Sequence, residues 1–170
     1  PFSHLKLIQQ RLAAILLECT KELRKKTAVK SKNKNFVSRG VSHGFMPGHS
    51  IMTNGQAHIT RRFVFNADLS DFFGSINFGR VRGFFIKDKN FSLAEKTATI
   101  LAQIACNDNK LPQGSPCSPV ISNLLGHILD IALVDLARKN KCTYTRYADD
   151  LTFSTNKCIF PSDIALKTKE

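Results

Sequence analysis

The sequence predicts an α+β fold in which a small antiparallel sheet carries helices packed on one of its faces. Three observations predict it. A compact aromatic and β-branched run at residues 63–68 reads as a buried strand ending on Asp68. Two short strand-like runs, 142–147 and 151–154, flank Ala148-Asp149-Asp150 in the manner of a hairpin. Between these strands lie two apolar stripes of helical period, at 92–107 and 118–139, each opened by a capping signal.

Each element has its own local reason. Leu5, Ile8, Leu12, Ile15, Leu16 and Cys19 recur at spacings of three and four, one face of an amphipathic helix. Residues 21–39 then carry eight basic side chains against Glu22 alone, which reads as a solvated helix end and loop, either idle or touching phosphate. Gly40, Gly44, Pro47, Gly48 and Gly55 make residues 39–55 mostly turn and loop. After Asp68, the pattern Phe72, Phe73, Ile76 and then Val81, Phe84, Phe85 predicts a turn followed by a helix.

Ser92-Leu93-Ala94-Glu95 has the form of a capping box, opening a helix with Leu93, Ile100, Leu101 and Ile104 inward. A Pro/Gly-rich loop at 111–116 follows. Ser118 as N-cap and Pro119 at the first helical position start the next helix. Its stripe is Ile121, Leu124, Leu125, Ile128, Ala132, Leu133 and Leu136.

At 170 residues, with 42% hydrophobic and 22% charged side chains, the chain suits one ordinary domain and excludes wholesale disorder. The net charge of +12 is unevenly spread: residues 1–66 carry +10 and the remainder +2. That imbalance favours a polyanionic partner, nucleic acid first and an anionic membrane second, the plain alternative being a basic face kept for solubility. No run approaches the ~18 apolar residues of a membrane span, and residues 12–17 are too short for a signal peptide. Five cysteines without a C-x-x-C pair suit neither zinc nor a disulfide framework, so reduced thiols in a cytoplasmic protein are expected. The start on Pro1 suggests a piece of a longer chain.

The chemistry-bearing residues are carboxylates. Asp149 and Asp150 sit together at the hairpin among Tyr147, Leu151 and Phe153, where adjacent like charges are costly without a cation. Asp68 is their natural partner if the two strands are neighbours, and three converging carboxylates suit Mg²⁺. Two such ions, if held there, could activate a 3′-hydroxyl and stabilise a leaving pyrophosphate. The alternative is an exposed, idle turn, since Asp favours turns in any case. Gly-x-Ser-x-Gly and Walker-type loops are absent from the sequence.

In order, the chain reads Phe65-Asn66-Ala67-Asp68-Leu69-Ser70-Asp71-Phe72-Phe73, then Leu111-Pro112-Gln113-Gly114-Ser115-Pro116-Cys117-Ser118-Pro119, then Tyr147-Ala148-Asp149-Asp150. This series resembles the reverse transcriptases over residues 2–160: their metal-binding motif A, the Pro-Gln-Gly loop before a palm helix, and the Tyr-x-Asp-Asp hairpin. Ser42-His43-Gly44-Phe45, the 54–58 segment and Ser75-Ile76-Asn77 look most like bacterial retron-type enzymes, with group II intron and defence-associated enzymes close by. One departure is that Asn54-Gly55-Gln56-Ala57-His58 stands where retron enzymes usually show Asn-Ala-x-x-His.

The resemblance implies an RNA-directed DNA polymerase using dNTPs, an RNA template and primer, a cognate structured RNA and two Mg²⁺ ions. Asp68, Asp149 and Asp150 would be the catalytic, metal-holding carboxylates, with the Leu69 carbonyl on the nucleotide-side metal. Asp71 would lie near the triphosphate, Phe73 would be the steric gate under the sugar, and Gln113 and Gly114 would line the nucleotide pocket. Arg61 and Arg62 would hold template or triphosphate, or else are a solvated strand end. Lys25, Lys26, Lys30 and Lys32 are expected on nucleic-acid phosphates. His58 is expected to touch nucleic acid or, more simply, a backbone carbonyl.

By the same resemblance, residues 1–62 would be part of the fingers, 63–160 the palm, and 161–170 the start of a truncated further element. The primer grip and thumb would lie outside the chain, leaving the isolated piece weak or inactive. The competing expectation is a non-catalytic nucleic-acid-binding relic of a polymerase, which would be free to lose one of the three aspartates.

Overall fold

The structure, a computed structural model, describes residues 3–30 and 40–168, without the side chains of residues 27–30. The elements are α1 (Ser3–Lys30), α2 (Ile51–Gln56), β1 (Phe63–Asp68), α3 (Phe72–Ser75), α4 (Phe78–Lys87), α5 (Glu95–Ala105), α6 (Ser118–Lys139), β2 (Thr143–Tyr147), β3 (Asp150–Thr155) and α7 (Ser162–Lys167). They fall into two compact units, Pro1–Ser38 with Asp71–Leu125, and Arg39–Ser70 with Gly126–Glu170.

In the first unit α5 packs on α4 and α1. The buried face of α5 is Ala98, Ala102 and Ala105, while Ile100 is exposed and Leu93, Leu101 and Ile104 are half-buried, so the expected inward set is displaced. Small side chains there leave room for Val81 and Phe85 of α4, both fully buried. The buried face of α1 is likewise Gln9, Leu12 and Leu16, with Leu5, Ile8 and Ile15 exposed. Gln9 lies inward because its Nε2 donates to the Ile104 carbonyl at 2.9 Å.

The expected capping box at Ser92 does not form. Ser92 has φ +43, and its hydroxyl donates to the Asp88 carbonyl at 3.2 Å. Glu95 instead reaches Arg82 at 2.9 Å, and α5 starts from Ala94 without a side-chain cap. A reciprocal box appears at Ser50 and Thr53, which open α2 inside the stretch expected to be turn and loop. Ser118 is the first residue of α6, and its hydroxyl donates to the Pro112 carbonyl at 2.7 Å rather than capping a backbone N–H.

The second unit holds a three-stranded antiparallel sheet in the order β1-β3-β2. β3 is central and β1 is an edge strand whose residues are half-buried or exposed in alternation, so the expectation of a buried strand at residues 63–68 is corrected. Register fixes the two faces. Phe65, Phe153 and Tyr144 lie abreast, as do Ala67, Leu151 and Arg146; the alternate residues put Asp68, Asp150 and Tyr147 in one rung of the opposite face.

α6 follows its sequence pattern only in part: Ile121, Leu124 and Leu133 are buried as expected. Ile128 and Ala132 are exposed, whereas Gly126, Asp130, Val134 and Ala137, outside the expected stripe, are buried. It is also long and apolar enough to cross a membrane by length and composition, although no uninterrupted apolar run announces it, and half of its most apolar stretch is buried within the protein. Its polar residues, among them Ser122, Asn123, His127, Asp130 and Asp135, are dispersed along the helix and break up every long apolar run.

Candidate active site

Asp68 closes β1 directly opposite Asp150, the first residue of β3. Opposed residues of an antiparallel pair project to the same face, so the two carboxylates share one end of one sheet face. Asp149 precedes Asp150 in the turn, and its carbonyl accepts a hydrogen bond from the Leu69 N–H at 3.1 Å. That bond ties the turn to the residue following Asp68. The tertiary fold therefore brings Asp68, Leu69, Asp149 and Asp150 together from positions some eighty residues apart.

Asp68 and Asp150 are exposed and Asp149 is half-buried. Desolvation, then the charges of Asp149 and Asp68, push the Asp150 carboxyl above the usual carboxylate range. Such crowded negative charge is what a hard divalent cation relieves. Among the described residues, no group of three or more His, Cys, Asp or Glu side chains is by itself arranged to hold a metal ion. Mg²⁺ in phosphoryl-transfer sites takes only one or two carboxylates and completes its shell with phosphate and water, so this donor set fits it.

Behind the turn, on the opposite sheet face, lies a network that the motif reading did not anticipate. Arg146 is fully buried; its Nε donates to Asp130 Oδ1 at 2.8 Å and its Nη2 to Asp130 Oδ2 at 2.9 Å. Tyr144 donates its hydroxyl to Asp130 Oδ1 at 2.8 Å, and Arg146 Nη1 donates to the Ala148 carbonyl at 2.9 Å. Burial, then the Asp130 carboxylate, pushes the Tyr144 hydroxyl well above its ordinary value, which keeps it a donor. A faint signal existed in the sequence: strand alternation puts Tyr144 and Arg146 on one face, and Asp130 stands at helical spacing from Gly126, Leu133 and Ala137.

His58 is buried on the carboxylate face of the sheet. Its Nδ1 lies 2.6 Å from Ser154 Oγ and its Nε2 2.7 Å from Thr145 Oγ1. The expected backbone carbonyl is thus replaced by two side-chain hydroxyls, because the alternation of β2 and β3 aims both at the segment following α2. Burial first, then the charges of Arg61 and His43, lower its pKa to about 4.

The other predicted residues stand as follows. Arg61 and Arg62 are exposed; the Arg62 N–H donates to Asn156 Oδ1, and its guanidinium lies 5.9 Å from the Phe63 ring centre. In the first unit, Asp71 is exposed at φ 45 as the N-cap of α3, and Phe73 is half-buried edge-on to Phe72 at 5.4 Å. Gln113 and Gly114 are exposed in the loop before α6, with Gly114 at φ +87. Lys25 pairs with Glu22 at 2.7 Å and Lys26 is exposed, while the Lys30 side chain and Lys32 lie outside the described residues.

The small three-stranded antiparallel sheet, with helices beside it, fits the palm of a polymerase. The family model described as reverse transcriptase (RNA-dependent DNA polymerase) matches residues 9–160, and the chain belongs to that family. It is 41% identical over 140 residues to the retron Mx162 reverse transcriptase of Myxococcus xanthus, covering 72% of this chain and 28% of the relative. It is 40% identical over 113 residues to the retron Ec86 reverse transcriptase of Escherichia coli, covering 66% of this chain and 34% of the relative. The chain thus spans about a third of the length of these curated relatives.

Proposed function

We propose that the full protein is an RNA-directed DNA polymerase of retron type, adding dNTPs to a primer 3′-hydroxyl on an RNA template. The observation that carries this reading is the Asp68–Asp150 rung, with Asp149 tied to Leu69 beside it. Asp68, Asp149 and Asp150, with the Leu69 carbonyl, would hold two Mg²⁺ ions. When bound, such ions supply Lewis-acid stabilisation of the attacking and leaving oxygens. The chain's own part is to hold hard oxygen donors on a rigid sheet end, so that little reorganisation is left for the reaction.

Asp71, Gln113 and Gly114 would bind the incoming nucleotide, with Phe73 screening its 2′ position. Arg61, Arg62 and the basic segment around Lys25, Lys26, Lys30 and Lys32 would grip template phosphates or a cognate structured RNA. Residues 1–62 are assigned to the fingers and 63–160 to the palm. The test is Asp149→Asn in the full protein: primer extension should be abolished while RNA binding is retained. Unchanged extension refutes the reading.

A further inference from the structure

We propose that Arg146 is a positioning residue for Asp149, acting from the opposite face of the sheet and, together with Asp130, setting the geometry in which the turn receives a divalent cation. The proposal rests on the assignment of Asp68, Asp149 and Asp150 as the cation site. Arg146 itself has no reach to that site. It acts through the peptide between Ala148 and Asp149.

Arg146 is held along its whole length. Its N–H donates to the Val41 carbonyl and its carbonyl accepts from the His43 N–H, both at 2.8 Å, which adds the 41–43 segment as a parallel neighbour. Its guanidinium is clamped by both Asp130 oxygens, a bidentate geometry that leaves the fork little rotational freedom. The remaining nitrogen, Nη1, points at the Ala148 carbonyl. Position 126 on α6 admits the guanidinium because it is glycine; a Cβ there would lie 2.9 Å from Nη2.

What the fork holds is a strained turn. Ala148 has φ +56, the sign of φ that a primed two-residue hairpin needs but that a residue with a Cβ disfavours. Such strain persists where the surroundings over-determine it. Here Arg146 fixes the Ala148 carbonyl, Gly44 permits close packing on the Ala148 backbone nitrogen, and Leu69 fixes the Asp149 carbonyl. A buried Arg–Asp pair brings little net stability over an apolar pair of the same volume, so stability alone does not account for it.

The experiment uses the full protein with Mn²⁺ as the probe, its binding read by electron paramagnetic resonance without substrate. The paired replacement Asp130→Leu with Arg146→Met removes the fork without stranding a buried charge. Arg146→Lys keeps the charge for Asp130 but loses the fork, and carries the same comparison should the paired variant not fold. Asp149→Asn is the control for the site itself.

The expected result is an Mn²⁺ dissociation constant raised about tenfold or more in a folded fork variant, the usual scale for removing an outer partner of a metal ligand. RNA affinity should stay at the wild-type value. Wild-type Mn²⁺ affinity in a folded fork variant, with affinity lost in Asp149→Asn, overturns the positioning role alone. Unchanged Mn²⁺ binding in Asp149→Asn removes the carboxylate assignment and this inference with it.

Discussion

Asp68 and Asp150 face each other across β1 and β3 on the last rung of the ladder. Like charges directly opposite destabilise an antiparallel pair, so this end of the sheet is held against its own electrostatics. The opposition comes from the fold: the hairpin turn is anchored from behind by Arg146 and from the side by Leu69.

That opposition makes stability depend on pH and on cations. The Asp150 carboxyl titrates above its unfolded value, so the folded state binds more protons in the window between the two. The cost is absent below the unfolded value of about 3.9 and fully present once pH has risen through the folded one. Asp150→Asn should therefore raise the thermal midpoint at neutral pH, with the gain closing as pH falls towards 3.9. Millimolar Mg²⁺ should narrow the same gap. A gain independent of both pH and Mg²⁺ would separate it from charge.

His58 works in the opposite direction. Its folded pKa of about 4 lies below the unfolded 6.5, so the neutral ring is favoured in the fold. Its contribution is complete above about 6.5 and is lost as pH falls through 4. Thermal melts across that window should show a decline that His58→Gln flattens. An identical decline in the variant would place the titrating group elsewhere.

Two glycine replacements should diverge. Gly126→Ala puts a methyl 2.9 Å from Arg146 Nη2, where the clamped fork has little room to yield. We expect a loss of about 1–3 kcal/mol, the range for overpacking a filled site. Gly55→Ala in α2 meets nothing within 4 Å and should be neutral or gain about 0.5–1 kcal/mol from helix propensity. Denaturant midpoints at constant slope decide both.

The basic segment should act through charge rather than base identity. Neutralising Lys25, Lys26, Lys30 and Lys32 together should flatten the salt dependence of RNA affinity by about three units, at ~0.7 per phosphate on single strands. Lys25 already pairs with Glu22 at the surface, a contact weak enough to be exchanged for phosphate. Equal slopes for variant and wild type would leave the segment as solvated surface.

Local signals in the sequence determined the carboxylate motifs, the hairpin around them and the helical stretches. A β-branched run, a turn flanked by alternating residues and a 3.6-residue stripe are short-range properties that chain neighbours suffice to express. The same locality explains the errors. The expected α5 stripe of Leu93, Ile100, Leu101 and Ile104 ranks residues by hydrophobicity, but packing against α4 selected Ala98, Ala102 and Ala105 by size. Ser92 and Glu95 matched a capping pattern, yet Asp88 and Arg82 offered each of them a better partner.

Only the tertiary structure decided that Asp68 stands opposite Asp150, that β1 is an edge strand, and that Asp130 and Arg146 meet in the core. Sheet order and register arise from burial summed over all three strands, which no local window contains. A charged pair is admitted to a core only when both partners arrive together, fully hydrogen-bonded. Asp130 and Arg146, read one at a time, look like surface residues; their burial follows from the 2.8 Å and 2.9 Å bonds that each makes to the other.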